Sequence, residues 1–521
     1  MAFVAGLPEG RSMQRLIRPV AIAVVALSLA ACLGHSDNSN PASVAAVRGT
    51  LIGSPASTGS YSTSDLLSLL TGDPLGQELL HLTFTPTCTV TVYHFEYHTV
   101  GGTDEATTAS AALMVPSGNS ATCQGEHPEV MYAHGTNTSR TFNMADLSRA
   151  SEAVLMAAVF AADGYIVIAP NYAGYDTSSL AYHPYLNADQ QSKDMIDALT
   201  AARSAYSRLD TTSNGKLYIT GYSQGGYVAM ATHKAMQASG SAVTASAPMS
   251  GPYALAAFGD AIFLGQVNSS AAVNFNLAVT SYQHSYGNVY SEPTDVYEAR
   301  YAATADELLP STTPIATIYA NGEFPQSALF NSTPPDPHYA SITPATMPAA
   351  LAKVFAQGFG TDNLVTNAYR LKYLQDQAAH PDGGFPTTTS GAPASAPDLG
   401  LRQDLKTNDL RDWAPTEPVL LCAGNMDPTV FYLNTQLMQG YWSAQAPSAP
   451  ASVLDVDSGV VDNDPYADEK KAFAAVKAAV ATAAVVGGAS DGGAGAVLQD
   501  YHTKLVPPFC LFAVKSFFDS H

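Results

Sequence analysis

Basic residues are scarce in this chain. Lys and Arg number 23 against 44 Asp and Glu, a formal net charge of −21 over 521 residues. A surface of that sign repels phosphate backbones and anionic headgroups, which excludes nucleic acid and a charged lipid surface as partners. Cysteine is scarce too, with five in all. None falls in a C-x-x-C spacing and no H-E-x-x-H pattern occurs, so the usual zinc signatures are missing. Beyond residue 31 there is no apolar run long enough to span a bilayer, and no internal repeat.

The one long apolar run lies at the start. Arg11, Arg15 and Arg18 precede residues 20–31, which are too few for a permanent membrane helix but suit a signal peptide. Met13 offers a more usual start for it. The run ends in Leu29-Ala30-Ala31-Cys32, which resembles a bacterial lipobox. Residues 1–31 are therefore expected to be removed, with Cys32 lipidated and acting as the membrane anchor. The plainer alternative is a secretory peptide with an incidental cysteine. Leu33 replaces the aspartate retention signal, which points to the outer membrane in a Gram-negative envelope. Polar residues 32–60 read as a tether.

Export leaves Cys88, Cys123, Cys422 and Cys510, an even count in an oxidising compartment, hence two disulfides. Of three pairings, Cys88–Cys123 and Cys422–Cys510 are favoured. The first pair flanks two early strands and the second lies near late motifs.

Strand-like apolar runs alternate with helical spacing through residues 89–98, 110–115, 129–133, 150–162, 165–169, 189–207, 217–220 and 242–247, and again at 418–423. That alternation predicts a mostly parallel α/β sheet with crossover helices. It fails from 252 to 415, where prolines and aromatics dominate. Since the sheet pattern then resumes, the segment reads as a helical cap inserted in the core, rather than a separate domain. The expected organisation is core 61–251, cap 252–415 and core 416–521.

Gly221-Tyr222-Ser223-Gln224-Gly225 fits G-x-S-x-G, with a strand before it and a helix after. In that context the serine occupies a strained nucleophile elbow. A hydroxyl needs a base and a carboxylate to orient it, in the chain order Ser…Asp…His. Past Asp427, which follows the strand at 418–423, only His502 and the terminal His521 remain, so His502 is the expected base. Asp427 is the expected acid, with Asp455, Asp457 and Asp500 as rivals. An oxyanion needs two backbone amides. Gln224 supplies one and Thr136, in His134-Gly135-Thr136 after an early strand, supplies the other, with His134 structural. This chemistry requires no metal and no organic cofactor.

The spaced set GYSQGG, Tyr132 to Thr136, Ile168-Ala169-Pro170-Asn171-Tyr172-Ala173-Gly174-Tyr175 and His183-Pro184-Tyr185-Leu186 resembles the secretory lipase family of α/β-hydrolases, which includes the yeast lipase A type. The resemblance spans roughly residues 90–250 and the Asp427 and His502 regions. It implies an α/β-hydrolase fold, an acyl-hydrolysing Ser/Asp/His set and a helical cap after the nucleophile. Asn171 departs from an expected aspartate, and the cap and residues 444–495 match nothing in the family pattern. The expected activity is a serine carboxylic-ester hydrolase working through an acyl-enzyme. The alternatives are a serine peptidase of the same fold and a non-catalytic surface lipoprotein.

Two further clusters read as ordinary structure. The acidic stretch from Asp455 to Asp464 lacks the glycine and closing glutamate of a calcium loop. His94 and His98, four apart on one strand face, read as an ordinary exposed strand face rather than a metal site.

Overall fold

The computed structural model describes residues 47–82, 84–382 and 396–521. Their framework is a nine-stranded sheet. Its strands in chain order are β1 (Leu51–Tyr61), β2 (Thr89–Val100), β3 (Ala106–Ser117), β4 (Glu126–Ala133), β5 (Ile166–Pro170), β6 (Thr212–Tyr222), β7 (Ala245–Met249), β8 (Val419–Ala423) and β9 (Ala451–Asp455). In space they run β1-β2-β3-β5-β4-β6-β7-β8-β9. The first three strands are antiparallel to their neighbours, and from β5 onward every pairing is parallel.

The central strands are apolar throughout because both faces are covered. Along β6, Leu217 and Ile219 enter one core layer while Tyr218 and Tyr222 enter the other, the period-2 alternation of a pleated strand. Helices Ala188–Ala205 and Gln224–Ala238 cover the first face through Met195, Ala198 and Val228. Helices Ser151–Val159 and Val506–Asp519 cover the second through Val154, Leu155, Phe509 and Val514.

Between β7 and β8 the chain leaves the sheet for a mostly helical excursion, including Leu255–Phe263, Ala271–Tyr286, Asn367–Ala379 and Gly400–Thr407. Its Leu277 and Tyr282 share a core layer with Tyr227 and Met230 of the sheet-covering helix. Buried Arg402 pairs with Asp260 and Asp376, and buried Arg411 with Asp382 and Asp409. Each guanidinium is matched by two carboxylates, which offsets the cost of its burial.

The disulfides are Cys88–Cys123 and Cys422–Cys510. Their presence fits an extracytoplasmic compartment. No helix among the described residues is long and apolar enough to cross a membrane. The signal segment, Cys32 and residues 32–46 of the expected tether lie outside the described residues.

The rest of that tether is a correction. Residues 51–60 belong to β1, an edge strand paired with β2, so the ordered core begins before residue 61. The segment LIGSPASTGSY is polar and largely exposed, so it carries no apolar alternation. It is held mainly by backbone pairing, with Thr58 Oγ1 also donating to Ala145 O at 2.8 Å, and Pro55 falls where the register slips between Ile52 and Ala56. Residues 444–495, unplaced by sequence, supply β9 and the helix Ala467–Val486.

Candidate active site

The C-terminal ends of β4, β6, β7 and β8 converge on one edge of the sheet, where open α/β sheets present their ligand sites. At the end of β6 the chain turns sharply into the helix Gln224–Ala238. Ser223 sits at the turn with φ 59° and ψ −121°, a conformation an L-residue adopts only under strain. The flanking glycines make it feasible. A Cβ on Gly225 would lie 1.9 Å from the Ala133 carbonyl oxygen, and one on Gly221 2.6 Å from the same atom. Ser223 N–H donates to Met249 O at 3.0 Å, tying the elbow to β7.

His502 comes from a five-residue π-helical turn, Tyr501–Leu505, that leads into the proline-started last helix. Such widened turns displace a side chain from the helical path and recur at functional sites. Its Nε2 lies 2.9 Å from Ser223 Oγ, and its Nδ1 lies 2.6 Å from Asp427 Oδ2. The Tyr222 hydroxyl donates to the His502 carbonyl at 2.7 Å, and the Tyr222 and His502 rings are in contact at 5.0 Å between centroids.

Asp427 follows β8 and is buried. Its Oδ1 accepts the Thr429 and Val430 amides at 2.8 and 3.0 Å, leaving Oδ2 for the imidazole. That arrangement sets the tautomer: Nδ1–H donates to Asp427, and the Nε2 lone pair faces the serine hydroxyl. The rival acids are engaged elsewhere. Asp455 accepts from Asn425, Asp457 accepts the Tyr501 hydroxyl and pairs with Lys477, and Asp500 pairs with Lys504. Asp464 pairs with Lys470 and His94 with Asp176, so the acidic stretch and the β2 histidine have protein partners.

Gln224 opens its helix, so its N–H has no intrahelical acceptor. Its side chain donates to His183 Nε2 at 2.7 Å, whose Nδ1 in turn faces Ala173 O. Burial lowers the His183 pKa to about 3, keeping the ring neutral and able to accept. Thr136 lines the same cavity as Ser223 and His502. His134 is structural: its ring is buried and stacks on Tyr172, and it faces the Gly135 and Asn171 carbonyls at 2.6 and 3.1 Å. Burial lowers its pKa to about 4.

Asn171 also has a physical reason. Its Oδ1 accepts the Met144 amide at 2.7 Å while its Nδ2 donates to Ser110 Oγ at 2.9 Å. An ionised aspartate has no donor for the second bond.

The cavity at Ser223 measures about 380 Å³. Leu155, Met249 and Leu511 form an apolar wall on the sheet side, while Ser270, Asn274 and Tyr319 reach it from the insertion between β7 and β8. Sequence reasoning singled out neither Glu152, which also lines the cavity, nor the anchoring role of Tyr222. A lone acid opening an otherwise apolar helix, SEAVLMAAV, was the available signal for Glu152.

The fold has counterparts among known structures. A point mutant of the rice cell wall degrading esterase LipA from Xanthomonas oryzae superposes over 91% of this chain and 99% of its own, at 25% identity and a TM-score of 0.65. The unmutated esterase gives 26% identity and a TM-score of 0.60 over 84% of this chain and 97% of that one. The chain has the α/β-hydrolase fold.

The prolyl oligopeptidase family model (peptidase S9) matches residues 152–291, which contain the elbow. Together these likenesses make the chain a serine hydrolase of that fold. Candida antarctica lipase A matches more loosely, at 12% identity and a TM-score of 0.46 over 78% of this chain and 76% of that one. No curated protein matches the chain.

Proposed function

We propose that this serine hydrolase cleaves carboxylic esters through an acyl-enzyme on Ser223. The observation that carries the reading is the hydrogen-bonded row Ser223 Oγ, His502, Asp427 opening onto a part-apolar cavity. Ser223 Oγ attacks the ester carbonyl as its proton passes to His502 Nε2, and Asp427 holds the imidazolium that forms. The Thr136 and Gln224 amides take the oxyanion. Collapse breaks the C–O bond, and the leaving alcohol takes the proton from His502. Water then attacks the acyl carbon, giving its proton to His502. As the acid departs, that proton returns to Ser223 Oγ.

Esterase neighbours over nearly the whole chain support this substrate class. We place the enzyme outside the cytoplasm, exported by the leader at 1–31 and held by a lipid on Cys32. The Ser223→Ala variant is expected to lose about 10⁵–10⁶ of kcat on p-nitrophenyl esters. Wild-type turnover by that variant removes the assignment.

A serine peptidase is the second reading, favoured by the family match over 152–291. Peptide amides assayed beside the esters separate the two. A folded protein whose Ser223 resists a fluorophosphonate would instead be a binding protein built on the hydrolase fold.

A further inference from the structure

Glu152 stands in the first turn of a helix whose next seven residues, Ala153 to Val159, are all buried and apolar. It makes no ion pair with Lys or Arg among the described residues. Its carboxylate instead faces the cavity that holds Ser223 and His502. The Gly135 N–H donates to both of its oxygens, at 3.2 and 3.1 Å, and the Tyr132 hydroxyl donates at 2.5 Å. A Cβ placed on Gly135 would lie 3.1 Å from Glu152 Oε1 and 3.8 Å from Ser223 Cβ, so this clamp is beside the nucleophile.

The turn is gripped on its other side as well, because His134 Nδ1 lies 2.6 Å from the Gly135 carbonyl oxygen. The Gly135 carbonyl and the Thr136 N–H belong to one planar trans peptide, so fixing the first fixes the direction of the second. Holding the Gly135 N–H and C=O together leaves this stretch of backbone no free rotation. The Thr136 amide is thus aimed before any substrate arrives.

We infer that Glu152 is a positioning residue of this hydrolase: it clamps Gly135 so that the Thr136 amide meets the oxyanion. The inference rests on the ester-hydrolase reading of Ser223. Around Glu152 stand Tyr132 on β4, Tyr172 after β5, Tyr222 on β6 and His502, with Asp73 holding the Ser151 hydroxyl one residue away. Burial pushes all three phenols well above their usual range, so they stay neutral at working pH. Burial raises the Glu152 carboxyl above its ordinary range, opposed by the Tyr132 hydroxyl and the Gly135 amide that donate to it.

The test compares wild type, Glu152→Gln and Glu152→Ala on p-nitrophenyl butyrate from pH 5 to 9. Each protein is first counted for reactive serine with a fluorophosphonate and checked for folding by its Tm. Loss of a working oxyanion donor costs about 10²-fold in kcat, so Glu152→Ala is expected to fall by about that factor with KM changed less than about threefold. In Glu152→Gln the carboxamide oxygen keeps one bond to Gly135 but carries no charge, and kcat is expected to fall about tenfold. The graded order wild type, Gln, Ala at equal labelled serine is the readout, because the conservative variant keeps part of the clamp.

Should Glu152→Ala not fold, Glu152→Gln decides alone. Folded, fully labelled variants with kcat within about twofold of wild type overturn the inference. A wild-type protein whose Ser223 takes no label overturns the ester-hydrolase reading instead, and this inference with it.

Discussion

Replacing Asp427 with asparagine removes one charge and almost no volume, and the surroundings dictate how the amide must sit. Two backbone donors, the Thr429 and Val430 amides, converge on Oδ1 at 2.8 and 3.0 Å. Only the carboxamide oxygen can accept them. The opposite orientation would set an NH2 group against two buried N–H groups, losing two hydrogen bonds of about 1 kcal/mol each and stranding the donors at about 1–3 kcal/mol apiece.

The NH2 of the introduced carboxamide is therefore forced toward His502 Nδ1, where the wild-type carboxylate accepts at 2.6 Å. An NH2 there donates, so Nδ1 must carry the lone pair and the ring proton moves to Nε2. That nitrogen lies 2.9 Å from Ser223 Oγ and, once protonated, cannot take the serine proton. In other Ser-His-Asp enzymes the same tautomer inversion lowers kcat about 10⁴-fold, or about 5.4 kcal/mol of transition-state stabilisation. The Asp427→Asn variant is expected to lose that much kcat on p-nitrophenyl butyrate at pH 7–8, with a near-unchanged Tm because every local hydrogen bond is kept. A folded variant retaining more than about a tenth of wild-type kcat would refute the reasoning.

Two further outcomes follow from buried groups away from the chemistry. The Cys422–Cys510 bond closes a span of 88 residues between β8 and the last helix, and the His502 turn lies within that span. In the chain-entropy account a loop of this size contributes about 4–5 kcal/mol, so Cys510→Ser should lower the Tm markedly by calorimetry, and activity should fall at lower temperature than in wild type. Asp404 is buried with Oδ2 lacking a hydrogen-bond partner among the described residues, and burial raises its pKa to about 7. The folded state then holds a proton that the unfolded chain releases near pH 4, so this group's contribution to stability declines as pH rises from about 4 to 7. Asp404→Asn should flatten that decline and raise the Tm at pH 8 above wild type; a lower Tm at pH 8 with the decline intact would contradict it.

Much of the framework was legible because it is written in short-range patterns. The apolar runs that became β4, β5, β6 and β8 are buried on both faces, so their burial shows in the residues themselves. β1 escaped notice for the opposite reason: its pairing with β2 uses backbone groups that every residue carries. The histidine could be chosen because few follow Asp427 in the chain. The acid could not be chosen so firmly, since Asp427, Asp455, Asp457 and Asp500 all lie close to plausible strand ends or to the histidine. Which of them meets the imidazole depends on how the loops after β8 and β9 fold over the last helix. Glu152 was missed because its partners Tyr132 and Gly135, at the end of β4, lie 20 and 17 residues away and meet it only once its helix packs on the sheet.

The sequence by itself determined the elbow. A serine between glycines, after an apolar strand and before a helix, leaves the backbone few sterically allowed paths, and that constraint acts within a few residues. Only the tertiary structure decided what the serine meets. Contacts of 2.9 and 2.6 Å join residues 279 and 75 positions apart, and they exist because sheet order brings the ends of β6 and β8 to one edge while the last helix delivers His502 beside them. A hydrogen bond tolerates only a few tenths of an ångström, and precision of that kind comes from the packing of the whole core.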